Sequence, residues 1–143
     1  MSDLYETDIL AWSERQGALL RRVAAGERVN DPDLDWPNII DEVESVGSEQ
    51  LHAVESFLVQ GLLHDLKATA WPLARDAPHW RGEARRFRAD AARRFAPSMR
   101  HRIDLARLYR QAVRAMPDTV DGQEPSPVPA ECPVTLDALL SDE

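Results

Sequence analysis

Glu42, Glu49 and His64 are the side chains of this chain best suited to hold a metal ion. Two helical turns separate the carboxylates, so on one helix they project from neighbouring angles, with His64 farther along the same element. In the core of a helical bundle such a set binds a divalent cation, which can activate water to hydrolyse a phosphoester or a nucleotide. The Glu-x-x-His spacing of bundle metal sites is missing, however. The four histidines, His52, His64, His79 and His101, never stand at the i, i+4 spacing of a helical zinc site. Solvated carboxylates on a helix flank and a hydrogen-bonded structural histidine account for the same residues. The sequence therefore implies no cofactor and favours a non-catalytic role over an enzyme.

Other chemistries have less behind them. The run Asp41, Glu42 and Glu44, with Glu49 and Glu55 beyond, is similar to the paired acids with which all-α nucleotide pyrophosphatases hold magnesium, but no second acidic pair matches it. Arg81, Arg85 and Arg88, with Arg86, Arg93 and Arg94, form a basic patch that could track phosphates. A net charge of −8 disfavours nucleic acid as the partner. Arg94 and His101 stand near the spacing of a helical ribonuclease motif, yet Pro97 between them keeps both off one helix face. Cys132 is the only cysteine, so no internal disulfide or cysteine zinc site can form, and nothing beside it would activate it as a nucleophile.

The elements that must position these residues follow from apolar periodicity. A length of 143 residues fits one domain, 1–143, with a bundle core over 1–116, a proline-rich strap over 117–134 and a short docked helix over 135–140. Alternating strand patterns are almost absent, so the expected fold is all-α, an antiparallel bundle of four main helices. The first helix spans about Leu4 to Ala25 and Gly26 ends it. The second starts at an Asp35 cap, keeps one phase from Ile39 to Leu62 across Gly47, and ends near Thr69 before Pro72. At that length it is a rod of about 50 Å, longer than a compact domain of this size is wide. The third runs from about Pro78 to Phe95. The fourth carries Met99, Ile103, Ala106, Tyr109, Val113 and Met116 on one face. The last, Leu136 to Leu140, is capped by Thr135 and should dock through Val134, Leu136, Leu139 and Leu140.

Charge is unevenly spread along these elements: −9 over residues 1–70, +8 over 71–114 and −7 over 115–143. This split predicts that the arginine helix packs near the acidic one, close to Glu42, Glu44 and Glu49. The start of the chain is acidic with no apolar run after it, so an export signal is not expected. The longest apolar run, Ile9 to Trp12, is far short of the roughly 20 residues of a membrane span, which leaves the cytoplasm as the expected compartment. Gln16 falls in the middle of the first helix's apolar stripe, where an amide needs partners. The expected partners are Glu42, Gln60 and His64 on the long helix, which with Asp8 and Lys67 make a candidate polar cluster.

Several segments, in this order, carry a resemblance. They are Tyr5-Glu-Thr-Asp8 with Trp12 and Gln16, then Asn38-Ile-Ile-Asp-Glu-Val-Glu-Ser-Val-Gly47, then His64-Asp-Leu-Lys67. Trp80-Arg81, Pro97-Ser-Met-Arg100 and Cys132-Pro133 follow. The chain resembles the bacterial family of domains of unknown function number twenty-nine over nearly its whole length. Ala68 stands where that family carries a tryptophan and Asp65 where it carries an apolar residue. The resemblance implies a helical fold and no assigned activity. The function expected from the residues is a non-catalytic module that binds protein, with a homodimer as one form, because so long a helix in so short a chain invites pairing along its uncovered part.

Overall fold

The structure is a computed structural model that describes residues 4–141. Its order is α1 (Leu4–Thr7), α2 (Ile9–Ala24), a 3₁₀ turn (Asp31–Asp33), α3 (Trp36–Ala70), α4 (Ala77–Arg94), a 3₁₀ turn (Pro97–His101), α5 (Leu105–Arg114) and α6 (Leu136–Leu140). The fold is all-α, a helical bundle, and among the described residues the only β pairing is an isolated bridge between Val120 and Gln123. No described helix is long and apolar enough to cross a membrane. Two compact units divide the chain after Ser48, and the single helix α3 contributes its first third to one and its remainder to the other.

In the first unit the expected single helix is two. Asp8 adopts φ −152°, which ends α1, and its carboxylate accepts the Ala11 N–H at 3.0 Å to cap α2. Trp12, Leu34 and Ile39 form the core, with Leu4, Tyr5, Leu19, Leu20 and Val29 packed on them. The Tyr5 and Trp12 rings meet edge to face at 4.8 Å between centroids.

In the second unit α3 supplies Val54, Leu58, Leu62 and Leu66 to a core completed by Ala91, Met99, Leu108, Tyr109, Ala112 and Leu139. Gly61 lets α4 come close, since a Cβ at that position would lie 3.2 Å from Arg88 Cγ and 3.6 Å from the Ala84 carbonyl oxygen. The tail is docked as its apolar spacing implies. Leu139 is fully buried, Leu136, Leu140 and Cys132 pack beside it, and only Val134 stays exposed. The strap before it is fastened by three hydrogen bonds. Trp71 Nε1 donates to the Gln123 carbonyl at 2.9 Å, the Ser126 N–H to Ala70 at 2.9 Å, and the Tyr109 hydroxyl to Pro129 at 2.5 Å.

The fourth helix departs from expectation. Met99 lies in the preceding 3₁₀ turn, and Asp104, extended at φ −98° and ψ 93°, caps α5 by accepting from the Arg107 N–H at 3.2 Å. Leu105, Leu108, Tyr109, Ala112 and Met116 form its inner face, whereas Ala106 and Val113 are exposed. Tyr109 and Met116 of the expected stripe do face the core, and Ile103 before the helix packs on it, but Leu105, Leu108 and Ala112 take the inward places expected of Ala106 and Val113.

Candidate functional site

The first unit holds a connected polar network. Gln16 is buried, and it does pair, but with the loop that leads into α3. Its Nε2 donates to the Asp33 carbonyl at 3.2 Å and its Oε1 accepts the Asp35 N–H at 2.9 Å. Asp35 Oδ2 accepts from Trp12 Nε1 at 2.9 Å and from Asn38 Nδ2 at 2.8 Å. These hydrogen bonds, Asn38's first and then Trp12's, hold the Asp35 carboxyl below its ordinary range against the opposing effect of burial. The Tyr5 hydroxyl donates to Glu42 Oε1 at 2.6 Å, a bond that pushes the phenol up to about 12. A cavity of about 450 Å³ opens beside the network, lined by Leu4, Trp12, Arg15, Gln16, Pro32, Asp33, Asp35 and Asn38. A general acid or base works best with a pKa near the working pH. Asp35 moves down and Tyr5 moves up, so neither is poised for proton transfer near neutrality.

The remaining candidates are placed elsewhere and do other work. Asp8 is the cap of α2. Gln60, His64 and Lys67 belong to the second unit. His64 Nδ1 lies 2.7 Å from the Gln60 carbonyl oxygen, which requires the hydrogen on Nδ1, and its ring stands 5.3 Å from that of Phe87. Lys67 Nζ sits 4.6 Å over the Trp80 ring. The partners expected for Gln16 are therefore corrected to loop backbone, because a side-chain amide satisfies an adjacent loop's orphan N–H and C=O together. Glu49 is exposed. Among the described residues no three His, Cys, Asp or Glu side chains form a group able to hold a metal ion.

The arginine helix α4 does pack on α3, at Gly61, but its acidic partner there is Asp65 rather than Glu42, Glu44 or Glu49. Arg88 pairs with Asp65 at 3.2 Å, and burial raises the Asp65 carboxyl while Arg88 opposes that shift. Arg86 pairs with Glu83 at 2.7 Å within α4, as Arg93 does with Asp90, while Arg107 reaches Glu55 at 2.5 Å and Arg100 reaches Asp137 at 2.7 Å. Arg81 and Arg85 are exposed. Much of the positive charge is thus neutralised inside the second unit, which weakens the patch as a phosphate track.

The feature that periodicity alone could not reveal is on the first third of α3. Trp36, Ile40, Val43 and Val46 are 43%, 51%, 70% and 62% exposed, although along the same helix the stripe is buried at Val54, Leu58 and Leu62. Trp36, Ile40 and Val43 stand at i, i+4 and i+7, the spacing of one continuous helix face. Ile9 and Leu10 on α2 are exposed as well. Together these side chains form a run of large apolar residues at helical spacing that is open to water.

The Tyr5–Glu42 bond makes one prediction directly. The phenol's folded pKa lies above its ordinary 10, so its contribution to stability is complete below pH 10 and disappears as pH rises through about 12. Tyr5→Phe is expected to flatten the loss of stability between those values. Denaturant midpoints of both proteins from pH 9 upward would check it, and parallel losses would contradict the bond's role. Tyr109, whose hydroxyl is also pushed up by burial, is common to both proteins.

Comparison with known proteins adds fold and family. The family model described as "Domain of unknown function DUF29" matches residues 4–143. An α-helical protein of unknown function from Rhodospirillum rubrum, solved as a crystal structure, is similar over 100% of this chain and 92% of that one, at 25% identity and a TM-score of 0.69. No curated protein matches the chain.

Proposed function

The chain belongs to the family of domains of unknown function DUF29, and from that premise, which carries no activity, we propose that it is a non-catalytic helical module that binds another protein through the first third of α3. The exposed apolar stripe Trp36, Ile40, Val43 and Val46 carries this reading. Soluble helices normally turn such a stripe inward, and fully burying a side chain of this size is worth about 1.5–3 kcal/mol. A partner that covers the stripe collects that energy. The hydrogen-bonded Gln16–Asp35–Trp12–Asn38 network suits a scaffold role, since it fixes the loop from which α3 starts and so orients the stripe.

A photo-cross-linking side chain placed at position 40 or 43, and for comparison at Arg21 on α2, tests this in cells. Adducts of defined mass are expected from positions 40 and 43 and not from 21. Equal yields from all three, or none from 40 and 43, would overturn the proposal.

A further inference from the structure

We infer that the partner is a basic amphipathic helix, one whose apolar stripe is flanked by lysine or arginine. The inference rests on the stripe being an interaction surface and names the chemistry of what covers it. Between Arg28 and Lys67 the chain has no lysine or arginine, but it has nine acids: Asp31, Asp33, Asp35, Asp41, Glu42, Glu44, Glu49, Glu55 and Asp65. Glu44 stands about 40° round the helix from Ile40 and so lines one edge of the stripe, with Asp41 about 60° beyond it; both are exposed. Three apolar anchors at i, i+4 and i+7 match the repeat of an opposing helix. Gly47, one turn beyond Val43, has open space around its Cα, leaving room for a partner backbone to come close.

The charge of the rim selects among occupants. A second copy pairing symmetrically would set Glu44, with Asp41 beyond it, against an equally acidic edge, and like charges facing one another disfavour a complex. The copy's own arginine helix could supply charge, but α4 presents no exposed large apolar residue to fill the stripe. An anionic membrane surface meets the same repulsion from the acids. A helix that brings both an apolar stripe and basic flanks satisfies both halves of the surface, and its attraction should fall as salt screens it.

Three synthetic helical peptides test this against the full-length protein. They share one leucine stripe at i, i+4 and i+7 and differ only in flanking residues, which are lysine, glutamine or glutamate. The lysine peptide is expected to bind at least tenfold more tightly than the glutamate peptide at low salt, with the margin shrinking as salt rises. Val43→Ser should weaken the lysine peptide at least tenfold, and Asp41→Lys with Glu44→Lys should reverse the order of the peptides. Equal binding of all three with the Val43 dependence kept would overturn the basic partner and leave the interaction surface standing, as would a concentration-dependent dimer abolished by Val43→Ser. Binding of the lysine peptide that ignores Val43→Ser would reduce the effect to bulk charge and overturn the inference. No binding by any peptide, in a protein that stays monomeric, would overturn both the inference and the surface on which it rests.

Discussion

Leu139→Ala is expected to cost about 2–5 kcal/mol, the range for removing a fully buried leucine from a packed core. Leu139 is 1% exposed and lies among Val54, Leu58, Leu62 and Leu108, although it comes from a five-residue helix near the end of the chain. That helix is too short to be stable alone, so its order depends on this burial. Thr135 caps it by accepting the Ala138 N–H at 3.1 Å, and Arg100 pairs with Asp137 at 2.7 Å. The ion pair is exposed and worth about 0–1 kcal/mol, so Asp137→Ala should be nearly silent beside Leu139→Ala. Chemical denaturation of the two variants separates these contributions. A loss below about 1 kcal/mol for Leu139→Ala would mean that the tail is not held by its apolar face.

Gln16 provides the second large effect. Gln16→Leu keeps the volume but strands the part-buried Asp35 N–H and Asp33 carbonyl, and leaving such groups unpaired costs up to about 1–3 kcal/mol. Gln16→Ala strands the same groups and leaves a void against Trp12, so it should be the more damaging of the two. The loss should be local at first, loosening the loop from Asn30 to Asp35 and the start of α3, where hydrogen exchange would detect it. If Gln16→Leu were as stable as the parent protein, water would be replacing the amide and the network would not be what fixes the loop.

How far the sequence reveals these features depends on the kind of interaction. Helix limits set by proline, glycine and caps were legible: Pro37 and Pro72 bracket α3, Gly26 follows α2, and Thr135 opens α6. The start of α5 was hidden because Met99 and Ile103 continue an apolar rhythm through a 3₁₀ turn, and only Asp104's capping geometry interrupts it. Gln16 was legible as a buried amide needing partners. Its partners were not, because they are loop backbone atoms that leave no trace in a side-chain pattern. The charge split pointed to contact between acidic and basic helices but not to its address, which the absence of a Cβ at Gly61 decides. Ile40 and Val43 share the phase of Val54 and Leu58, yet periodicity reports only which face is apolar and is silent on what covers it.

The account turns on that last distinction, and the unfolding free energy of an Ile40→Ser, Val43→Ser double variant tests it most directly. Serine, isoleucine and valine have similar helix propensities, so backbone preference should not obscure the result. If the stripe lies outside the chain's own packing, each change should stay within about 0.5 kcal/mol, as for other exposed sites. A loss of about 3 kcal/mol or more for the pair, the value of two buried aliphatic side chains, would show that the chain covers the stripe itself and that no partner is needed.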